Sequence, residues 1–410
     1  MTDFGAKPAV LVIGTGMYVC GRGTNTFGTV LPTLVQAQRD GQIGEIVVAA
    51  SSRESLGAFR VKLAQLSELI GVRPMIREYP QGEGRDPLSY RQALADMPRP
   101  ACAIIAVPDH LHASMAADAV TAGLHALVVK PLTPTVTEAR HLIELTHTYQ
   151  VYGATDFHKR FDEANLQLRQ ALAEGRLGEV RYITVEFSQR RAIQTTFQSW
   201  IQHTNVFQYL GVHYVDLIYF LTGFTPIRVL ATGQPHEALL DGLWKLDAIQ
   251  AVVEWQDQAR RKTFASTILT NWIDPARSSA FTDQRILVVG THGRFDSDQK
   301  HRGIALATEQ AGVEEPNIYF SQLTRGATGD WGMEGYGPRC LRQFLNDVQG
   351  LSDGTIRLEE LIAARPSFQD TLVSTAIVEA VNRSLAQGEQ WVHVEEIVPT
   401  PSVTQGASRS

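Results

Sequence analysis

The 410-residue chain is poor in cysteine, with three in all, Cys20, Cys102 and Cys340. An odd number without short spacings excludes a disulfide framework and a zinc knuckle, and sets a reducing cytoplasm as the expected compartment. Long apolar runs are missing as well: none approaches the roughly 18 residues of a membrane span. The opening MTDFGAKPAVLVIG has no basic leader before its apolar stretch. Charge of one sign is scarce. Lys and Arg number 37 against 43 Asp and Glu, a net charge of −6 with no like-charge block, so neither nucleic acid nor a membrane is an expected partner. The ARRK cluster at 259–262 falls where a hairpin should turn. His110, His112 and His125 have no carboxylate or cysteine at ligand spacing, so no metal site is expected. What is present, 44% hydrophobic and 20% charged residues, is ordinary globular composition with length for two domains and a small-molecule ligand.

AVLVI at 9–13 is a continuous apolar run ended by Gly14, the pattern of a strand buried on both faces. A glycine-rich stretch follows, then a helical pattern through Leu31, Leu34 and Val35 that stops at Gly41. The order repeats: EIVVAAS, a helix over 56–70, MIREY, LSYRQALADM, ACAIIAVP, a helix over 111–122 and LHALVVK. Such alternation with short links predicts βαβ units and a parallel sheet, so residues 1–156 read as a doubly wound α/β domain of Rossmann type. From 157 the texture changes. EVRYITVEFSQ, IRVLATGQ, AIQAVVEW, FASTILTNW and RILVVGT alternate between apolar and polar positions, which suits an open, mostly antiparallel sheet with one covered face. Residues 157–396 therefore read as an α+β domain, and 397–410 as a loose tail.

Chemistry concentrates first in GTGMYVCGRGT, directly after the first strand. Gly14 and Gly16 allow a tight turn that brings backbone N–H groups, with Met17 following, close to a pyrophosphate. The third position of the G-x-G-x-x-G fingerprint is Val19, and Gly21 and Gly23 suggest a longer loop; a plain glycine-rich turn is the alternative. At the end of the second strand, where a carboxylate would accept from an NAD ribose, stand Ser51, Ser52 and Arg53. Two hydroxyls and a guanidinium suit a 2′-phosphate, with Arg22 joining the cationic site, so NADP is the preferred cofactor. NAD is possible, and is favoured if Glu54 faces the ribose. Lys130 closes LHALVVK, where ligands of open α/β sheets collect, and desolvation there lowers a lysine toward proton transfer; a solvated strand-end lysine is the alternative.

Five segments in order, GTG, VPDHLH, VVKP, FHKRFDEA and GVHYVDLIYFLTG, resemble the Gfo/Idh/MocA oxidoreductases, the group of glucose–fructose oxidoreductase and the inositol dehydrogenases. The resemblance runs over nearly the whole chain, including SFQDTLVSTAIVEAVNRSLAQG. It implies a Rossmann domain, a second domain whose open sheet forms a homodimer or homotetramer, and a cleft between the two. The implied activity is hydride transfer between NAD(P) and a carbon of a sugar, polyol or inositol, or sugar derivative. The family's Glu-Lys-Pro falls on Val129, Lys130 and Pro131. Its Thr-Pro-Asn falls on Val107, Pro108 and Asp109, with His112 following, near the nicotinamide ribose.

The family's Asp-x-x-x-His pair falls on Tyr209 and His213, four apart on one helix face. His213 is the first choice for general base in oxidation or acid in reduction. Lys130 then binds the reacting oxygen, and Tyr209 donates a hydrogen bond or relays the proton; which of the three exchanges it stays open. Asp216 either orients His213 or lies on the helix surface. Arg160, beside His158 and Lys159, meets substrate or makes an interdomain salt bridge. Trp200, His203, Asn205 and Gln208 suit a polyhydroxylated ligand, although a helix cap through Asn205 explains them equally. Two rival activities stand beside the dehydrogenase: a redox-neutral sugar-modifying enzyme that retains NAD(P), and a non-catalytic nucleotide-binding regulator, suggested by the losses at Val129 and Tyr209.

Overall fold

The computed structural model describes residues 6–235, 246–310 and 312–397. Six short apolar runs, β1 (Ala9–Ile13), β2 (Ile46–Ala49), β3 (Ile76–Tyr79), β4 (Ala101–Ile105), β5 (His125–Val129) and β6 (Gly153–Asp156), form a parallel sheet in the order β3-β2-β1-β4-β5-β6. Successive residues of β1 point to opposite faces and feed two separate cores. Val10 and Val12 pack in one with Leu34 and Phe59, while Leu11 and Ile13 pack in the other with Ala116 and Val120. The strand order reverses between β1 and β4, which opens a crevice at their carboxyl ends.

Helices lie close to where periodicity places them, at Arg53–Ile70 and His112–Thr121. The glycine-rich turn differs. Its helix is a single turn, Met17–Cys20, because Gly21 takes φ 70° and a Cβ there would stand 2.0 Å from the carbonyl oxygen of Thr26. The long helix resumes only at Val30–Arg39.

The second sheet uses β7 (Val180–Arg190), β8 (Thr225–Pro235), β9 (Leu246–Gln256), β10 (Thr263–Asp274), β11 (Thr282–Gly290) and β12 (Arg294–Asp298). Two small antiparallel pairs follow, β13 (Leu306–Thr308) with β14 (Gly312–Glu314) and β15 (Gln322–Arg325) with β16 (Trp331–Glu334); β17 (Val392–His393) returns to the sheet edge. The order β12-β11-β7-β10-β9-β8-β17 is antiparallel except for β7 beside β10. Ile183, Val185, Ile249, Val253, Trp255 and Ile268 fill one face against helices Val212–Thr222 and Leu372–Ala386. The ARRK segment is the β9–β10 turn, where Asp257 accepts from the backbone N–H groups of Arg261 and Lys262. Ile397 packs into this core, and the remainder of the predicted tail lies outside the described residues.

Periodicity identifies an amphipathic helix but not the sheet it covers. Helix Tyr336–Ser352 follows the second sheet in sequence, yet Leu341, Phe344, Leu345 and Val348 bury themselves in the nucleotide-domain core with Val10, Val12 and Tyr152. The two units are thereby tied by more than the single crossing at β6. Phe344 is 3% exposed and its ring stacks 5.8 Å from that of Tyr152. Phe344→Ala is expected to lower stability by about 3–5 kcal/mol, the usual cost of truncating a buried aromatic, measured by urea unfolding.

Candidate active site

The turn after β1 is shaped by close backbone approach. Gly14 has φ 114°, and a Cβ there would lie 2.2 Å from the carbonyl oxygen of Ala106 at the end of β4. One step on, a Cβ at Gly16 would meet no atom within 4 Å. The backbone from Gly14 to Met17 is therefore tight on the sheet side and open on the other, a cradle that fits a pyrophosphate.

The end of β2 carries hydroxyls and cations. Ser52 caps helix Arg53–Ile70, its Oγ accepting from the N–H of Ser55 at 3.1 Å. Arg22 reaches over from the glycine loop to donate to Ser55 Oγ at 3.2 Å. Arg53 faces Glu83 at 3.7 Å, a carboxylate whose side chain is 88% exposed, while Glu54 is exposed on the first helical turn. An isolated β-bridge sets Arg85 beside Ser52. No local pattern in the sequence marks Arg85, because only the bridge brings it there.

At the end of β5, Lys130 turns toward the second domain. Its Nζ donates to the carbonyl oxygen of Tyr209 at 2.7 Å and stands 3.5 Å from the centre of the Tyr209 ring. Burial lowers the Lys130 ammonium to about 8, against the opposing pull of Asp109 and Asp156. Tyr209 lies in a π-helical turn, Phe207–Gly211, that leads into helix Val212–Thr222. Burial raises its phenol well above the usual value, with Asp109 adding to the shift, which makes it a hydrogen-bond donor. His213, one turn on, is 5% exposed with Nδ1 buried and unpartnered. Burial, then the charges of Lys130, His158 and Lys159, hold His213 well below the usual histidine range, so at neutral pH it is an uncharged acceptor. Trp200 joins the Tyr209 ring's surroundings through Phe197, whose ring is 4.5 Å from Trp200 and 4.9 Å from Tyr209.

Several residues expected to meet ligand are committed elsewhere. His112 is wholly buried, with Nδ1 2.7 Å from the carbonyl oxygen of Pro131 and Nε2 2.9 Å from that of Val107. A neutral imidazole donates to one of these carbonyls at a time, so His112 clips the ends of β4 and β5 together from inside the protein. Pro108, just before, is partly exposed at the same strand end. Asp109 Oδ2 accepts from Thr204 at 2.8 Å and Gln208 at 2.9 Å, so one oxygen of its carboxylate bonds the second domain.

Gln208 also accepts from Asn382, and Asn205 caps the turn through the N–H of Gln208 at 2.8 Å while donating to Asn382 at 2.7 Å. The amides assigned to substrate thus form a protein network. Of the two readings of Arg160, the structure contains an ion pair, made within the second domain and not between domains: Nε bonds Asp216 at 2.8 Å and Nη2 bonds Asp370 at 2.7 Å. Asp216 in turn spends its carboxylate on Arg160 instead of orienting His213. A lone charge buried in this way requires a partner, and the sequence cannot show one 56 or 210 positions away.

His158 and Lys159, given no role of their own in the sequence, complete the wall with Phe320 and Tyr336. His158 packs between the rings of His213 at 4.9 Å, Phe320 at 5.1 Å and Tyr336 at 5.6 Å. Lys159 is buried against Gln284 and Gln299 and lies 4.8 Å from the ring of Tyr214; burial lowers it to about 7. Among the described residues no group of three or more His, Cys, Asp or Glu is arranged to hold a metal ion, and no helix is long and apolar enough to cross a membrane.

Residues 9–155 match the oxidoreductase family model described as an NAD-binding Rossmann fold, and residues 165–296 match the GFO/IDH/MocA C-terminal domain. Inositol 2-dehydrogenase of Rhizobium meliloti is 22% identical over 289 residues, 70% of this chain and 79% of that protein. Levoglucosan dehydrogenase of Pseudarthrobacter phenanthrenivorans is 23% identical over 320 residues, 72% and 80% of the two chains. Scyllo-inositol dehydrogenase from Lactobacillus casei, solved with NAD(H) and scyllo-inositol, superimposes with a TM-score of 0.63 at 15% identity, covering 95% of this chain and 99% of that one. With both domain models matched in order over a six-stranded parallel sheet and a mixed seven-stranded sheet, this chain belongs to the Gfo/Idh/MocA family of NAD-binding oxidoreductases.

Proposed function

We propose that the protein is a dehydrogenase or reductase acting on a CH–OH group of a sugar, inositol or related polyol. The observation that carries this reading is the meeting of Lys130, from the nucleotide domain, with Tyr209 and the His213 helix of the second domain. Two relatives are named for inositol and levoglucosan, which supports a polyhydroxylated substrate. Gly14, Gly16 and Met17 would hold the pyrophosphate, and Pro108 and Pro131 border the nicotinamide end. Bound there, the nicotinamide ring supplies a hydride acceptor for the substrate carbon. The Lys130 ammonium donates a hydrogen bond to the reacting oxygen and stabilises negative charge developing on it. His213, uncharged at neutral pH, takes the hydroxyl proton, and the same group returns it in reduction. Tyr209 fixes the ammonium by its ring and carbonyl oxygen, and Trp200 presents a partly exposed ring for a sugar face.

The cationic end of the site favours NADP, through Arg22, Arg53 and Arg85 around the Ser52 hydroxyl. The outward face of the second sheet supports a homodimer or homotetramer. Tyr182 is 47% exposed and Ile273 41% exposed on strands β7 and β10, with Leu269 beside them on the same face.

Lys130→Met is expected to reduce kcat/KM by roughly 100-fold or more, in line with loss of an electrostatic donor to the reacting oxygen, in a screen of sugars and inositols with each cofactor. With Lys130 acting as the ammonium, kcat/KM for oxidation falls above pH about 8 and Lys130→Arg moves that limb upward. A wild-type profile that rises through this pH would instead make Lys130 the base. Arg22→Ala and Arg53→Ala should each weaken NADP binding by about 10-fold or more while changing NAD binding little, at about 1.5–3 kcal/mol per charged hydrogen bond; titration calorimetry with both cofactors decides it. Tyr182→Lys combined with Leu269→Lys should convert the oligomer to monomers in sedimentation velocity, and a monomeric wild type would remove the sheet interface.

A further inference from the structure

Behind His213, on the side facing the nucleotide domain, lies a buried acid–base chain. β6 ends on Asp156, and two residues on His158 follows in a short 3-10 turn. Asp156 is 1% exposed and His158 9% exposed. Asp156 Oδ1 and His158 Nδ1 stand 3.5 Å apart, and neither has another hydrogen-bond partner. Two buried polar atoms left unsatisfied and aimed at each other are expensive unless they pair, so a small rotation that makes the bond is favoured. The other carboxylate oxygen accepts from the Tyr18 hydroxyl at 2.5 Å. On its far side His158 touches His213, ring to ring at 4.9 Å and tilted by 52°. His213 Nδ1, likewise buried, lacks a partner.

From the geometry we infer that Asp156 and His158 form a positioning pair for His213, holding its ring and setting the local charge against which it takes the substrate proton. This rests on His213 being the base of the proposed dehydrogenase. In oxidation the substrate C–H pair of electrons leaves as hydride to the oxidised nicotinamide, the C–O bond becomes a carbonyl, and the O–H proton goes to His213. The proton stays on His213, whose ring lies against His158, and the Asp156 carboxylate facing His158 Nδ1 offsets the positive charge so formed. No further reactant is needed.

The charges around the pair fit this role. Facing His213 are Lys130 from β5 and Lys159 from the turn that carries His158, all three opposing a second positive charge. Facing His158 are Asp156, the Tyr18 phenol from the glycine turn and the Tyr336 phenol from helix Tyr336–Ser352; Cys340 lies against Asp156. Although burial opposes it, His158 and then the Tyr18 hydroxyl hold the Asp156 carboxyl below the usual carboxylate range. A fixed anion is thereby available at the end of the chain, where the imidazoles alone would be surrounded by ammonium groups.

The test uses Asp156→Asn and His158→Gln, changes that keep hydrogen bonding but remove the carboxylate charge and the titratable imidazole. Two readouts apply to the full-length protein. By histidine-selective 15N NMR without substrate, His213 should titrate at higher pH in His158→Gln, because the imidazole that opposes its charge is gone, and at lower pH in Asp156→Asn, each by half a unit or more. With substrate, both variants should lose kcat by about 10-fold or more at unchanged KM, and the acid limb of the rate profile should shift in the same sense as the NMR curves. Unchanged His213 titration in both variants, each giving a native-like spectrum, overturns the pairing whatever the substrate proves to be. Altered titration with unchanged kcat also overturns it, since the contact would then be structural. If His213→Ala leaves turnover intact, it is the assignment of the base that fails, separately from the NMR result.

Discussion

The structure turns on one buried cation. Lys130 is withdrawn from water at the end of β5 and stands between the carbonyl oxygen and the ring of Tyr209, which belong to the other domain. Taking an ammonium out of water costs several kcal/mol, and a desolvated cation–π contact returns about 2 kcal/mol. The remainder comes from the charged carbonyl contact and from Asp109 and Asp156, both of which favour the protonated form. Every one of these depends on the two domains being held in register. A lysine at a strand end becomes a chemical tool only once the second domain covers it.

The register is held by polar bonds that reach across the cleft and by one borrowed helix. Asp109 receives Thr204 and Gln208, and Asn382 and Asn205 extend the same network. Within the second domain, Arg160 gathers Asp216 and Asp370 into one buried ion cluster that fixes the chain just past the crossing. Helix Tyr336–Ser352 leaves the second sheet to complete the nucleotide-domain core. Such groups contribute modestly to net stability, because desolvation offsets their attraction, but breaking any one of them strands a buried charge or amide. They set geometry more than they add stability. The π-helical turn at Phe207–Gly211 belongs to the same design, since widening the helical ladder there lets the Tyr209 carbonyl oxygen face Lys130.

What the sequence disclosed and what it hid divide along the same line. Strand alternation, the glycine turn and Lys130 at a strand end are local patterns, set by neighbours within a few positions, and the structure contains each of them. Polar residues in the cleft segments are different. Arg160, Asp216, Asn205 and Gln208 have the composition expected of a sugar site, yet their hydrogen-bond partners are protein atoms, some of them 56, 177 or 210 positions away. A single chain read linearly cannot distinguish a side chain aimed at a ligand from one aimed at a distant carboxylate. Phe320 and Tyr336, which close over His158, flank a region of short hairpins without periodicity, and Arg85 reaches the ribose end only through an isolated bridge.

The replacement of an expected aspartate by Tyr209 illustrates how a site keeps its balance when a charge moves. With a phenol ring in the aspartate's place the cation is held by π electrons and a carbonyl oxygen, and the compensating carboxylates lie on the nucleotide-domain side, in Asp109 and Asp156. Those anions are not free agents. Asp109 is bonded to the second domain, and Asp156 is bonded to Tyr18 within the glycine turn that fits the pyrophosphate. The charges that govern Lys130 are thus fixed to the two structures that must be in place before chemistry, the closed cleft and the ordered nucleotide turn. A carboxylate on the substrate helix would tune the lysine locally, whereas this arrangement makes its protonation depend on the assembly of the whole cleft.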